Sequence, residues 1–194
     1  MENEVSVIHP KTWESAAGLC AWQIDKAHKS RFESMRSHPS WGGSTNWLNS
    51  LREEYDGLME QWYGSDDGRH TRMVQESRMV QEPCPEWFKS LASTALFAAY
   101  TMGATPSLTA ESILPLLERK QNDYGYENIN RFGRDGILVR MHDKIARIEN
   151  LADRIDMPSN ESLADSFVDL VGYSIIGMMW EYGIWHLPLA EDQS

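Results

Sequence analysis

The sequence predicts an all-α protein, an antiparallel helical bundle of about six helices, and two observations support this. Apolar residues recur every three or four positions along the chain of 194 residues, and no segment sustains the alternation of a strand. Short polar stretches, several with Gly or Pro, separate the periodic segments. Helices joined by short connections are typical of an antiparallel bundle, which is therefore the architecture we expect.

The periodic segments divide into six helices, which we take in chain order. The first is predicted at 12–32, and Ser44 or Thr45 caps a second with an apolar stripe from Trp47 to Trp62. The third, at 86–102, is rich in Ala and suits close helix packing. A fourth at 109–121 is bent or started at Pro115, a fifth spans 136–152, and the sixth spans 161–182 behind a cap at 159 or 160.

Composition bears on compartment and partners. The formal net charge of −11 repels nucleic acid backbones and no dense Lys/Arg cluster offsets it, so we expect no direct nucleic acid binding. Cys20 and Cys84 form neither a disulfide framework nor a zinc motif, and they indicate a reducing compartment. The acidic N-terminus lacks a signal peptide's apolar stretch. The most apolar run, 171–180, is too short to span a bilayer and indicates a buried helix rather than a membrane segment.

The chain divides into a region at 1–104, with a flexible insertion at 64–85, and a region at 105–194. The insertion contains a hexapeptide, 72–77, that is repeated at 78–83 with only its last residue changed. Such a duplication indicates an exposed segment that the fold tolerates. Near the C-terminus, Trp180, Ile184, Trp185 and Leu187 extend the apolar surface beyond what a small bundle covers, which predicts a homo-oligomer.

Three carboxylates recur along one face of the sixth helix. Glu161, Asp165 and Asp169 are spaced four residues apart, and Asp169 interrupts an apolar stretch. Like charges in a row repel, and a buried carboxylate is costly without a partner. The three side chains would therefore hold Mg²⁺ through carboxylate oxygens. Alternatively, Glu161 and Asp165 face solvent while Asp169 pairs with an Arg.

The fifth helix carries a charged face opposite its apolar stripe. Arg140, Asp143, Lys144 and Arg147 share that face. The residues are either solvated, with an ion pair between Asp143 and Arg147, or they hold a polyphosphate whose metal the carboxylates bind.

The segment from Lys120 to Tyr126 joins the fourth and fifth helices. Gly125 permits a tight turn beside Tyr124, whose ring would stack on a base, with Lys120 and Asp123 nearby. Turn formation alone explains the same residues equally well.

Three linked motifs in the C-terminal half of the chain resemble the phage "nucleotide modification associated" helical domain. The resemblance covers about 116–179 and departs mildly at Ser166, where the family usually has Thr. That domain occurs near phage genes of nucleotide metabolism and base modification, and it is distantly similar to helical nucleotide pyrophosphohydrolases. The motifs are the segments 118–125, 132–147 and 161–173.

The N-terminal half is faintly similar to the MazG group of all-α NTP pyrophosphohydrolases. In that group a Glu-Glu-x-x-Glu helix and a later Glu-x-x-Asp helix bind Mg²⁺. Here Glu53 and Glu54 match the first two glutamates and would bind Mg²⁺, whereas Gly57 and Lys89 replace two of the expected metal carboxylates. Alternatively, Glu53 and Glu54 are ordinary surface residues of an amphipathic helix.

The resemblances imply a phage nucleotide-metabolism protein in the cytoplasm of an infected bacterial host. One hypothesis is Mg²⁺-dependent pyrophosphohydrolysis of a nucleoside triphosphate, with Mg²⁺ activating water and neutralising the leaving group. The alternative is a non-catalytic module that binds a nucleotide to sequester it or to regulate a partner. A purely structural helical oligomer is the third hypothesis. The sequence assigns no catalytic residue.

Overall fold

The structure, a computed structural model, describes residues 9–36, 44–63, 84–105, 107–152 and 162–190. These residues are helical with no strand, which confirms the all-α prediction. They contain seven α-helices rather than six, because a short helix lies where a loop was predicted; the antiparallel six-helix bundle is not confirmed. The helices are α1 Trp13–Arg36, α2 Ser44–Tyr63, α3 Pro85–Thr101, α4 Leu114–Tyr124, α5 Glu127–Asn130, α6 Gly133–Ala152 and α7 Leu163–Glu181.

The stripe predicted on α2 is buried. Trp47, Leu51, Tyr55, Leu58 and Trp62 are each at most 9% exposed. The hydroxyl of Tyr55 donates a hydrogen bond of 3.1 Å to the carbonyl oxygen of Leu138, which ties α2 to α6. Burial first, and then the nearby Asp56 and Asp143 carboxylates, raise the pKa of Tyr55 to about 12, so this hydroxyl stays a donor at neutral pH.

Helices α3 and α7 make the most extensive helix–helix contact in the described chain. The predicted close packing of the Ala-rich α3 is found, since residues 91–99 are all buried. On α7, Gly177 lies against the ring of Phe88, where a Cβ atom would come within 2.4 Å of a ring carbon. Buried side chains from both halves of the chain form one continuous cluster around this contact.

Helix α7 begins later than the sequence predicted. Its N-cap is Ser162, and Ser162 and Asp165 form a reciprocal capping box. The predicted caps at 159 and 160 and the start at Glu161 are therefore wrong for α7, and these three residues lie outside the described chain. The repeated hexapeptides and nearly all of the predicted insertion also lie outside it.

Helix α7 also exceeds the short apolar run found in the sequence. Its 19 residues make it, by length and composition alone, the one described helix long and apolar enough to cross a membrane. That criterion is weak because a core helix meets it too, and 56% of the stretch is buried inside the fold.

The segment after α7 folds back over the N-terminus of α1. The backbone N–H of Trp13 donates to the carbonyl of Pro188 at 2.7 Å, and the ring of Trp13 makes an edge contact with Trp185 at 6.1 Å between centroids. The apolar residues from which the oligomer was predicted pack on the chain's own core, and Trp185 is only 1% exposed. The homo-oligomer stays a prediction.

Candidate ligand-binding pocket

A pocket of about 240 Å³ lies among α1, α4, α5, α6, α7 and the segment after α7. Four residues from the sequence predictions line it together, although they come from three different helices. They are Lys120 and Tyr124 on α4, Arg140 on α6, and Asp169 on α7.

Four aromatic side chains line this pocket. Trp13 and Trp185 are 1% exposed, Tyr173 is half-buried on α7, and the ring of Tyr124 is 65% exposed. The predicted turn beside Tyr124 is present, because Gly125 ends α4 with a φ of 63°, a backbone conformation that favours glycine. An exposed ring beside buried rings suits a flat ligand that enters a partly apolar space.

An ion triad joins three helices at the edge of the pocket. The ammonium of Lys120 lies 2.9 Å from Oδ1 of Asp169, and the ammonium of Lys144 lies 2.7 Å from Oδ2. Burial alone would raise the pKa of Asp169, but hydrogen bonds and charges from Lys144 and Lys120 outweigh burial and hold the pKa below its usual value. Asp169 therefore pairs with two lysines rather than with the Arg that the sequence suggested.

Arg140 is oriented by neighbours from two other helices. Its Nη2 donates to Oδ1 of Asn128 at 2.9 Å and to the Asn128 carbonyl oxygen at 3.2 Å. Its guanidinium carbon lies 5.9 Å from the ring centroid of Tyr173. A guanidinium fixed in this way keeps further N–H donors for a ligand.

The other predicted substrate-binding residues lie outside the pocket lining. Asp123 and Asp143 are exposed. Lys144 acts through Asp169 as described, and Arg147 is half-buried on α6. The structure thus brings Lys120, Tyr124 and Arg140 together at the pocket but leaves these four residues outside it.

Those predicted metal ligands that the structure describes are not gathered at one place. Asp165 accepts hydrogen bonds from the Ser162 backbone and hydroxyl, each at 2.8 Å, and so serves the cap of α7. Glu161 lies outside the described residues. Within the described ranges, no group of three His, Cys, Asp or Glu residues is arranged to hold a metal ion. The Mg²⁺ site stays a prediction.

Glu54, the predicted metal ligand on α2, instead belongs to an ion cluster with α1 and α3. Its Oε1 lies 2.7 Å from Nη2 of Arg31, and it accepts from the Thr94 hydroxyl at 3.3 Å. Arg31 also donates to Thr94. Two open clefts of about 410 and 340 Å³ adjoin this cluster; Glu86 and Lys89 line the first, and Glu53 lines the second.

Sequence reasoning missed several pocket residues, chiefly Trp13, Gln121, Asn128 and Trp185. One signal for Gln121 was available: it continues the spacing of the buried Ile113 and Leu117, four residues apart, and is 5% exposed. A polar residue at such a core position is informative. No comparable signal in the sequence places Trp13 near α4, since that neighbourhood arises only from the folded chain.

Residues 120–180 match the family model described as nucleotide modification associated domain 1. The match covers about a third of the chain and supports the resemblance found in the C-terminal motifs. It includes Lys120, Tyr124, Arg140 and Asp169, whereas Trp13 and Trp185 lie outside it. The similarity of the N-terminal half to the MazG group stays a prediction.

A search of curated proteins found no match. A search of solved structures found none either.

Proposed function

We propose that this protein binds a nucleotide in the pocket, with the base among the aromatic rings and the phosphate against Lys120 and Arg140. The observation that carries the proposal is the convergence of two cations and an exposed tyrosine on one apolar pocket. The matched nucleotide modification associated region contains all three of these residues. The setting we propose is phage nucleotide metabolism in the cytoplasm of an infected bacterial host.

The shape of the pocket supports one nucleotide rather than a longer ligand. Its volume of about 240 Å³ lies just below the roughly 300–1,000 Å³ typical of sites for drug-sized molecules. A base would occupy the interior, where Trp13, Trp185 and Tyr173 supply flat apolar surface. The ring of Tyr124, which is largely exposed, would close over the base or sugar from outside.

The charges at the pocket support an anionic ligand. The side chain of Lys120 is 44% exposed, so its ammonium can reach a phosphate while Lys144 keeps Asp169 neutralised. Arg140 adds a guanidinium, which binds phosphate oxygens through charge-assisted hydrogen bonds. Because the formal net charge of the chain is −11, two cations at one pocket stand out from the acidic remainder of the protein and favour an anion there.

Binding without catalysis is the function that this geometry supports best. Both oxygens of Asp169 already contact lysines, and Asp165 serves the cap of α7. Mg²⁺-dependent pyrophosphohydrolysis would need Lys120 to leave Oδ1 of Asp169, as it would if it moved to a nucleotide phosphate. Hydrolysis therefore remains the second candidate, tested by the same experiment.

The experiment is calorimetric titration of the protein with nucleoside mono- and triphosphates, with and without Mg²⁺, alongside an assay for released pyrophosphate. We expect saturable binding without Mg²⁺ and no pyrophosphate release. Arg140→Gln should weaken binding about tenfold, since it removes charged hydrogen bonds to the phosphate.

The matched control is Arg52→Gln. It also removes an arginine, but one paired with Glu149 at 2.7 Å on the surface and away from the pocket, so affinity should stay unchanged. A protein that binds none of the nucleotides would overturn the proposal. Pyrophosphate release that depends on Mg²⁺ and Asp169 would instead favour the pyrophosphohydrolase function over binding without catalysis.

A further inference from the structure

Two buried N–H groups belong to residues that line the pocket, and neither has a hydrogen-bond partner among the residues that the structure describes. They are the indole Nε1 of Trp13 and the side-chain amide nitrogen of Gln121. Trp13 is 1% exposed and Gln121 is 5% exposed. Buried polar groups in proteins are nearly always hydrogen-bonded, so a pair of unpartnered donors at one pocket requires an explanation.

Other polar groups of the same pocket do have partners. The indole Nε1 of Trp185 donates to Oδ1 of Asn130 at 3.1 Å, whereas the indole of Trp13, which contacts the Trp185 ring, finds no acceptor. Lys120 and Arg140 are also engaged, with Asp169 and Asn128. Among the described residues that line the pocket, the buried donors without a partner are therefore those of Trp13 and Gln121.

We propose that these donors recognise a base with two carbonyl oxygens, as in uracil or thymine, and this rests on the nucleotide-binding function proposed above. Each N–H would donate to one carbonyl oxygen. The Gln121 carboxamide also carries an oxygen that can accept from the imide N–H between the two carbonyls. An amide facing an imide in this way satisfies donor and acceptor together.

The same arrangement discriminates against other bases. Adenine presents an amino group and no carbonyl oxygen, and cytosine replaces one carbonyl with an amino group. In the orientation proposed for uracil, either base places its amino group where a carbonyl oxygen would accept from one of the two buried N–H groups. Two donors that face each other leave that buried N–H unsatisfied, which weakens binding by about tenfold. The small pocket of about 240 Å³ favours the single ring of a pyrimidine over the double ring of guanine.

The test is calorimetric titration with dUMP, dTMP, dCMP, dGMP and dAMP. We expect dUMP and dTMP to bind at least about tenfold more tightly than dAMP and dCMP. Gln121→Met keeps the length of the side chain and removes its amide. It should reduce that preference to less than about threefold, while the melting temperature without ligand stays the same or rises because a buried unpartnered amide is gone.

The matched control is Ser166→Ala on α7. The Ser166 hydroxyl is likewise buried and has no partner among the described residues, but it does not line the pocket, so its removal should leave the base preference intact. A second variant, Trp13→Phe, removes the indole N–H, and Trp62→Phe removes an equally unpartnered indole N–H outside the pocket.

The possible outcomes distinguish the proposed base preference from nucleotide binding itself. Equal affinity for all five nucleotides, or tighter binding of dAMP or dGMP, would overturn the base assignment and leave nucleotide binding standing. Persistence of the preference in Gln121→Met would also overturn it. Absence of binding by any nucleotide would overturn the proposed function itself.

Discussion

Two regions of this molecule hold a carboxylate in an ion cluster that spans three helices, and we propose a ligand site at only one of them. In the N-terminal region Glu54 is held by Arg31 and Thr94. In the C-terminal region Asp169 is held by Lys120 and Lys144. Both carboxylates were predicted from the sequence to be metal ligands, and in the structure both contact side chains of the protein.

The difference lies in what surrounds each ion cluster. The Glu54 cluster opens onto two clefts lined mainly by polar and charged residues, with Trp87 as the only aromatic lining residue among those described. The Asp169 cluster borders a pocket with four aromatic rings and two buried N–H groups that have no partner in the described part of the chain. An ion cluster by itself does not point to a ligand, whereas we base the proposed ligand site on the polar groups without partners in a partly apolar enclosure.

The largest expected effect comes from removing both pocket cations. Lys120→Gln combined with Arg140→Gln should weaken nucleotide binding by more than about 100-fold, because each removes charged hydrogen bonds worth about 1.5–3 kcal/mol. Arg31→Gln, which removes the cation of the other cluster, should change the affinity less than about twofold. Calorimetric titration measures the affinity of both variants. Equal losses of affinity would show that the two ion clusters do not differ in their contribution to nucleotide binding.

A smaller effect is expected from Asp169→Asn on the protein without ligand. A metal site predicts that this variant folds at least as well as the wild type, because it relieves carboxylate repulsion. The observed pairing predicts a loss of about 2 kcal/mol in the free energy of unfolding, since two lysines lose a charged partner. Urea denaturation measures the difference, and unchanged or increased stability would contradict the pairing.

The pH dependence of that loss identifies the charge as its cause. The pKa of Asp169 is lower in the folded protein than its ordinary value of about 4. The ionised carboxylate therefore stabilises the fold fully at pH values above about 4. As the pH falls through the folded-state pKa, this contribution disappears. The stability difference between wild type and Asp169→Asn should therefore shrink below pH of about 4, and a constant difference would indicate altered packing instead.

The helices were predictable because burial imposes a period on the sequence. The α2 stripe from Trp47 to Trp62 is buried as its spacing predicted. The start of α7 was missed although its signal was present: Ser162 and Asp165 have the spacing of a capping box, but Asp165 was assigned to a metal. One carboxylate near a helix start fits both roles by spacing alone.

The pocket was only half predictable for a different reason. Lys120, Tyr124 and Arg140 were chosen because charge and aromaticity stand out along the sequence. Gln121 and Trp13 are of interest because each has a buried N–H group without a hydrogen-bond partner in the described chain. Whether such a group finds a partner depends on residues that are distant in the sequence. Ion pairs across helices, such as Lys144 with Asp169, depend on the same tertiary arrangement.

A nucleotide bound in the pocket beside Asp169 would lie against Trp13, so the indole N–H resonances of the tryptophans report on whether it binds there. Trp13 lines that pocket, while Trp87 lines the clefts beside Glu54. Titration of ¹⁵N-labelled protein with dUMP should shift the Trp13 indole resonance and leave that of Trp87 unmoved. A shift at Trp87 with none at Trp13, or no shift at either, would show that the nucleotide does not bind in this pocket.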